Sequence, residues 1–555
     1  MADIINDLEK KFSLKEEQLS ALRGTNLQVE ELIGRYISKE KSGGITNQRY
    51  SPALRTFALT LHYYSPKAYN YVRDTFKTCL PHVRTLRKWY TSIKGEPGFT
   101  DESFKALKAK SNSIKYPIIA GLMIDEMAIR RRIEWDGVKL HGHVEIGSGI
   151  EGDHITEAKE ALVFLVTGIN CNFKVPMAYF LIDGMTGVQR AELGKQCLEK
   201  IHETRVKIVS LTFDGYASNI AMLKHLGCNF EEGKMKFEDP VTKYPIMALL
   251  DPSHMVKLIR NAFQVYQVFV DENGKKIKWS YLEELNKLQE KEKFRLANKL
   301  RYRHIHYHNQ KMKVKLATQL FSLSVCNAID FCREELNLPI FRESLPTTVF
   351  LKTINNFFDI LNSKSMSQHG YKKPINENNA KEILEYIDKV AGYISNLKCD
   401  NGPLLIESQR KVGFKGFIGC AVAVRHFYET LVQTGELVFF PFYKTSQDHL
   451  ELLFGNIRSH GGSNNNPTAR QFKAAYKKLL VHIELKDFGS GNCNALEQLS
   501  ILTCSAVDRI NLTTPSTEKA CDDESDNEFQ EEMLDHYYLT DFSMQVIGYI
   551  AGNGQ

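Results

Sequence analysis

The chain has 555 residues, 43% hydrophobic and 25% charged, ordinary globular values that exclude a fibre, a disordered chain or a small disulfide scaffold and that give room for three to four domains. The net charge of +6 is modest, but it conceals two basic blocks and one acidic block, the kind of segregation that marks partners or intramolecular counter-surfaces. An odd count of eleven cysteines without repeated spacing, no signal-like apolar start, and apolar runs as short as residues 161–166 and 246–250 lead to the expectation of a soluble, intracellular protein in a reducing compartment, with no membrane partner.

Residues 4–37 read as helix. Leu8, Phe12, Lys15, Leu19, Leu22, Asn26, Val29, Ile33 and Tyr36 step by four and three, as in a coiled-coil seam with two polar interruptions. An amphipathic helix packed on its own domain explains the same spacing equally well. Residues 45–95 read as three short helices. Ser51-Pro52 and Ser65-Pro66 place an N-cap before a Pro at the first helical position, and Pro81 opens the third. Residues 47–94 hold nine Lys or Arg and one acid, Asp74. That imbalance favours a nucleic-acid face, with Arg84, Arg87, Lys88, Trp89 and Tyr90 as contacts, over a merely solvated one.

Residues 116–124 form an apolar run ending in Asp125-Glu126. Residues 133–146 alternate around Asp136-Gly137 and read as a hairpin. Residues 161–169 and 175–182 are apolar strands and 188–203 a helix. Residues 207–213 are a strand ending in Asp214-Gly215, with a helix over 217–226. Antiparallel-type strands, a crossover helix and a buried strand predict a mixed sheet flanked by helices. Residues 251–435 have helical period and read as an all-α insertion. Residues 437–443 return to an apolar run, followed by helices over 448–459 and 469–484. Residues 486–535 look loop-rich, with ten acids and one Lys between 518 and 541.

Asp125 and Asp214 each close an apolar strand, where side chains of such sheets meet in a common crevice. Paired carboxylates suit Mg²⁺, a hard cation that prefers oxygen, and two such ions support phosphoryl transfer. Spacing alone does not separate these residues from Asp183 and Asp251, which also end apolar runs and could simply start turns.

In its ordered segments the chain resembles the P-element transposase family, the THAP-domain-containing DNA transposases. The resemblance runs from residue 30 to the end. It is carried by Arg49-Tyr50-Ser51-Pro52 through Ser65-Pro66-Lys67-Ala68-Tyr69, Leu122-Met123-Ile124-Asp125-Glu126-Met127 and Leu211-Thr212-Phe213-Asp214-Gly215. It continues through Asp251-Pro252-Ser253-His254 with Lys257 to Asn261, Phe357-Phe358-Asp359 to Asn362-Ser363, and Ser446-Gln447-Asp448-His449-Leu450-Glu451 with Phe454-Gly455 and Gly461-Gly462.

The resemblance implies an α/β fold, an RNase H-like mixed-sheet catalytic core split by a large helical insertion that binds GTP. The expected organisation has a helical, coiled-coil-like segment over 1–40 and a helix-turn-helix DNA-binding unit over 45–100. The core occupies 112–250 and 436–485, the GTP-binding insertion 251–435, and an acidic, shortened C-terminal region 486–555. The family's catalytic acids fall on Asp125, Asp214 and Glu451, holding Mg²⁺ or Mn²⁺. Glu451 rests on the resemblance alone, since with Asp448 and Arg458 it also reads as a charged helix face. The nucleotide site is carried over to Asp359 and Asn362, with Asp448 close by and Lys315 among the phosphate contacts. No GxxxxGK[ST] loop is present, so this is not a P-loop site.

The implied activity is cutting and joining of double-stranded DNA, at transposon ends and target, by a nuclear homo-oligomer. The alternative is a domesticated protein that binds DNA and GTP without catalysis. Two departures stand beside the resemblance: no Cys or Cys/His set in this sequence has zinc spacing, so the N-terminal THAP finger is expected to be missing, and the end near Tyr549-Ile550-Ala551-Gly552 reads as cut short, since family members usually continue past it. His304, His306 and His308 read as non-metal.

Overall fold

The computed structural model describes residues 27–42, 49–64, 66–91, 94–147, 156–459 and 464–481. The first part of the expected N-terminal helix, the Ser65 cap, part of the loop before the last helix, and the acidic tail with Tyr549 to Gly552 lie outside these residues.

Helix α1 (Leu27–Ser42) packs on the trihelical unit α2 (Pro52–Tyr64), α3 (Pro66–Thr75) and α4 (Val83–Thr91). Leu32 of α1 is buried with Leu54 and Leu59 of α2. The Ser51 hydroxyl donates to Glu31 of α1 and accepts from the Leu54 N–H at 3.1 Å, so one side chain caps α2 and ties it to α1. Of the seam positions on α1, Tyr36 meets Phe76 edge-on at 6.0 Å and Ile33 is half-buried.

A seven-stranded sheet forms the centre, in the order β1 (Gly98–Phe99), β6 (Lys174–Ile182), β5 (Glu160–Gly168), β2 (Ile118–Ala128), β7 (Val206–Phe213), β9 (Pro245–Leu250), β8 (Lys236–Glu238). The pairs β2–β7 and β7–β9 are parallel; the others are antiparallel. Strands β5 and β6 are apolar and buried almost throughout, as strands covered on both faces must be. At Gly121 a Cβ would stand 2.7 Å from the Ser210 hydroxyl of β7, so any larger residue there needs that hydroxyl to move aside.

Helices cover both faces. α5 (Asp101–Ser113), α6 (Gly187–His202) and α7 (Ala217–Leu226) follow their strands in sequence. A capping box between Thr186 and Gln189 starts α6, and Gly227 with φ of 96° ends α7. Along β2 the alternation of a strand divides the residues: Leu122 and Ile124 join the core of α6, whereas Met123 and Met127 join Leu450, Leu453 and Phe454. The expected hairpin is present as β3 (Glu134–Trp135) and β4 (Leu140–His141), with Asp136-Gly137 in its turn.

After β9 comes a mainly helical block: α8 (Pro252–Tyr266), α9 (Ser280–Glu292), α10 (Val314–Leu320), α11 (Leu323–Glu334), α12 (Leu345–Leu361), α13 (Ala380–Asn396) and α14 (Val412–Phe427). It is not purely α. Val268–Val270, Lys276–Lys278 and Lys398–Cys399 make a three-stranded sheet, too short to leave a period in the sequence. Phe263, Phe269, Trp279 and Phe350 meet in an aromatic cluster beside it. The apolar run over 437–443 gives only Phe439–Phe440 as strand, paired with Ile375–Asn376. The chain then returns to the sheet as α15 (Asp448–Ser459) and α16 (Ala469–Val481). No helix among the described residues is long and apolar enough to cross a membrane.

Candidate active site and nucleotide pocket

Strands β2 and β7 run parallel, and their last pair is Met123 with Thr212. Two residues further on, on the same face, stand Asp125 and Asp214. Neighbouring strands lie about 4.8 Å apart, so the register alone brings the two acids side by side. Glu451 arrives from α15, which packs on this face of β2. Burial first, then the charges of Glu451 and Asp214, push the Asp125 carboxyl well above the usual carboxylate range, against one hydrogen bond from the Glu126 N–H at 2.9 Å. Three half-buried carboxylates brought together repel one another. Among the described residues no three His, Cys, Asp or Glu side chains are closed into a ready metal cluster. The donor set is nonetheless all oxygen and excess negative charge, which fits a hard divalent cation.

The segment before α15 fixes Glu451. The Gln447 side-chain amide donates to the Ile124 carbonyl at 2.8 Å, and the Gln447 N–H to Asp251 at 3.0 Å. The Glu451 N–H in turn donates to the Gln447 carbonyl at 3.0 Å. Asp251 caps α8 by accepting from the His254 N–H at 2.8 Å. Burial raises its carboxyl, and those two N–H donors hold it down. Asp251 is therefore a helix cap, and Asp183 pairs with Arg131 at 3.1 Å and Lys159 at 3.4 Å. Asp448 is buried here as well, accepting from Ser253 at 3.3 Å.

A separate cavity of about 220 Å³ lies in the helical block, lined by Lys299, Ser322, Ser324, Asn355, Asp359 and Lys372 among others. Asp359 accepts from the Asn355 amide at 3.2 Å. Burial raises the Asp359 carboxyl, opposed first by Lys372 and then by Asn355 and Lys299. Of the residues the sequence pointed to, only Asp359 lines this cavity. Asn362 is the C-cap of α12, Lys315 is exposed on α10, and Asp448 lies with Asp251 and Ser253. Asn355 was legible in principle: it precedes Asp359 by four residues on one helix face. Lys299 and Lys372 come from distant segments, which no local spacing reveals. His304, buried, bonds Gln319 at 2.9 Å and the Arg301 N–H at 3.0 Å.

In the trihelical unit Arg84, Arg87 and Lys88 are exposed on α4. Trp89 is turned inward: its ring meets Tyr50 edge-on at 6.0 Å and lies under the Arg55 guanidinium at 4.6 Å.

Four family descriptions match successive stretches of the chain. They are "Transposable element P transposase-like, HTH domain" over residues 6–89 and "TNP-like, RNase H N-terminal domain" over 95–227. "TNP-like, GTP-binding insertion domain" follows over 253–374 and "TNP-like, RNase H C-terminal domain" over 443–477. The human DNA transposase THAP9 is 31% identical over 450 residues, covering 79% of this chain and 49% of that protein. The Transposable element P transposase of Drosophila melanogaster is 26% identical over 453 residues, covering 80% of this chain and 55% of that protein. The chain thus spans about half the length of these curated relatives. The solved structure of the Drosophila P element transposase strand transfer complex superposes with a TM-score of 0.66 at 24% identity, covering 81% of this chain and 97% of that one. The mixed sheet is accordingly an RNase H-like core, and the chain belongs to the P-element transposase-like family.

Proposed function

We propose that this protein is a DNA transposase that cuts and joins strands of double-stranded DNA by two-metal phosphoryl transfer, with GTP as a bound cofactor. The observation that carries the reading is the placement of Asp125 and Asp214 at the ends of neighbouring parallel strands, with Glu451 close enough to act on the Asp125 carboxyl.

Asp125, Asp214 and Glu451 would hold the divalent ions. Bound there, Mg²⁺ or Mn²⁺ lowers the pKa of water or a DNA 3′-hydroxyl and stabilises a departing oxygen. The chain's own part is positioning. Gln447 locks the start of the Glu451 helix to β2, and Asp251 locks it to α8.

GTP would occupy the cavity beside α12. An ionised Asp359 accepts from the two N–H donors on guanine's base-pairing edge, and Asn355 supplies an amide donor and acceptor. Lys299 and Lys372 lend positive charge for phosphates. The exposed basic residues of α4 serve DNA through its backbone. Action in the nucleus as a homo-oligomer completes the reading, with the trihelical unit, the split core and the helical block as its functional parts.

The test is cleavage and strand transfer on a DNA duplex with Mg²⁺ or Mn²⁺. Asp125→Ala, Asp214→Ala and Glu451→Gln should each abolish turnover while DNA binding persists. Full activity in any of them rejects the assignment. Binding of DNA and GTP by the parent chain without turnover in either metal would favour the non-catalytic alternative.

A further inference from the structure

Among the described residues the carboxylate of Asp214 is held through one oxygen. Its Oδ1 accepts twice, from the Tyr216 N–H at 3.1 Å and from the side-chain amide of Asn219, on α7, at 2.7 Å. The carbonyl oxygen of that same Asn219 amide accepts from Nη1 of Arg190 at 3.0 Å. Arg190, on α6, is 3% exposed, donates Nε to the Met185 carbonyl at 3.3 Å, and pairs through Nη2 with Glu126. Glu126 follows Asp125 on β2, so its side chain leaves on the opposite face, where α6 lies.

These bonds have a fixed sense. A guanidinium has five donors and no acceptor. Asn219 must therefore turn its oxygen to Arg190, which leaves its NH₂ group for Asp214. The reversed amide would set donor against donor at Arg190 and acceptor against carboxylate at Asp214. Glu126 holds Arg190 in turn, and the ion pair is desolvated enough that displacing either partner strands a charge.

We propose that Arg190 and Asn219 are a positioning pair for Asp214: Arg190 sets the orientation of the Asn219 amide, and the amide ties down Oδ1 so that Oδ2 is presented to the divalent ion. This rests on the reading of Asp214 as a metal ligand. Neither residue touches substrate. Both act from behind the ligand, as partners outside the coordination shell commonly do, and losing such a partner typically weakens metal binding about 10–100-fold.

The experiment measures Mn²⁺ binding by the full chain from the paramagnetic resonance signal of free Mn²⁺, beside the Mn²⁺ concentration for half-maximal DNA cleavage and the melting temperature in metal-free buffer. Asn219→Ala should raise the Mn²⁺ dissociation constant about tenfold or more and move the half-maximal concentration in step. Arg190→Lys keeps a cation beside Glu126 and fills the space, but a single ammonium cannot fork to both neighbours. It should show a smaller loss in the same direction. A purely structural role would lower the melting temperature and leave the Mn²⁺ affinity of the folded fraction unchanged. Wild-type Mn²⁺ affinity in both variants overturns the positioning pair. Asp214→Ala is the reference: if it weakens Mn²⁺ binding while the two variants do not, the pair alone fails; if it also binds as wild type, the metal reading of Asp214 falls with it.

Discussion

Gln447 reaches back across 323 residues of chain to donate its side-chain amide to the main-chain carbonyl of Ile124, 2.8 Å away. The parallel ladder between β2 and β7 ends at Met123, so this carbonyl lies just past the last pair and is open to an outside donor. The bond ties the residue before Asp125 to the residue four before Glu451. Gln447→Leu would leave the buried carbonyl without this partner, at a cost of about 1–3 kcal/mol. It would also free the Glu451 helix to shift, and a displacement of about 1 Å at a reacting centre can cost about 100-fold in rate. The expected result is a cleavage rate reduced at least tenfold with unchanged GTP affinity. Rate assays beside GTP calorimetry check it.

Crowding of the acids has a signature in the pH dependence of stability. The folded state holds the Asp125 carboxyl above its ordinary range, so folding favours its protonated form. Its contribution is fully present below the unfolded value of about 3.9 and is lost as pH rises through the raised folded value. Metal-free protein should therefore lose stability on going from about pH 4 towards neutrality, and Asp125→Asn should lose less. Thermal melts of both proteins across that range, with chelator, give the comparison; equal slopes would contradict the raised carboxyl. Added Mn²⁺ should narrow the gap between them at neutral pH, since an ion stabilises the ionised form.

If GTP occupies the cavity beside α12, as proposed, its lining residues should govern binding. Asp359→Ala and Asn355→Ala should each weaken GTP binding about 10-fold or more, the range for removing a partner of a buried polar group. Asn362→Ala and Lys315→Ala, outside the cavity, should change it less than about threefold. Calorimetry with GTP and ATP separates these cases. Equal affinity of the parent chain for both nucleotides would argue against guanine recognition by Asp359.

Exposed basic residues on α4 offer an electrostatic test. Replacing Arg84 and Arg87 together by Ala should weaken DNA binding across sequences alike. The slope of log affinity against log salt should become shallower by about one for each phosphate no longer neutralised. Binding titrations at several salt concentrations report both effects, and an unchanged slope would place the DNA elsewhere.

Most of the core was readable because buried strands must be apolar throughout and turns must carry their own chemistry. The runs ending in Asp125 and Asp214 became β2 and β7, and Asp136-Gly137 turned a hairpin. Periodicity could not supply the partners. Strand β8 has three residues, too few for any period, and the pairing of β2 with β7 depends on a crossover through α6. The acids at the strand ends were equivalent in sequence. Hydrogen bonding separates them: Asp251 is a cap to α8 and Asp183 a partner of Arg131, whereas Asp125 has the neighbouring acids Glu451 and Asp214. Glu451 carried no local signal, because its meaning comes from a helix delivered by a distant part of the chain. In the cavity beside α12, Asp359 has its hydrogen-bond partner one turn before it, at Asn355, whereas Asn362 lies outside the lining.

The helical block enters and leaves the sheet at almost one point. Asp251 closes β9, Ser446 precedes α15, and their side chains meet at 3.5 Å although 195 residues separate them. This closed neck has a consequence for timing during synthesis. Asp125 and Asp214 leave the ribosome with the first half of the chain, but Glu451 cannot take its place until the whole intervening block has emerged and brought its ends together. A nascent chain therefore carries two of the three acids proposed to hold the metal, so on that proposal a polypeptide still being made, or one broken off within the block, should not cut nucleic acid near it.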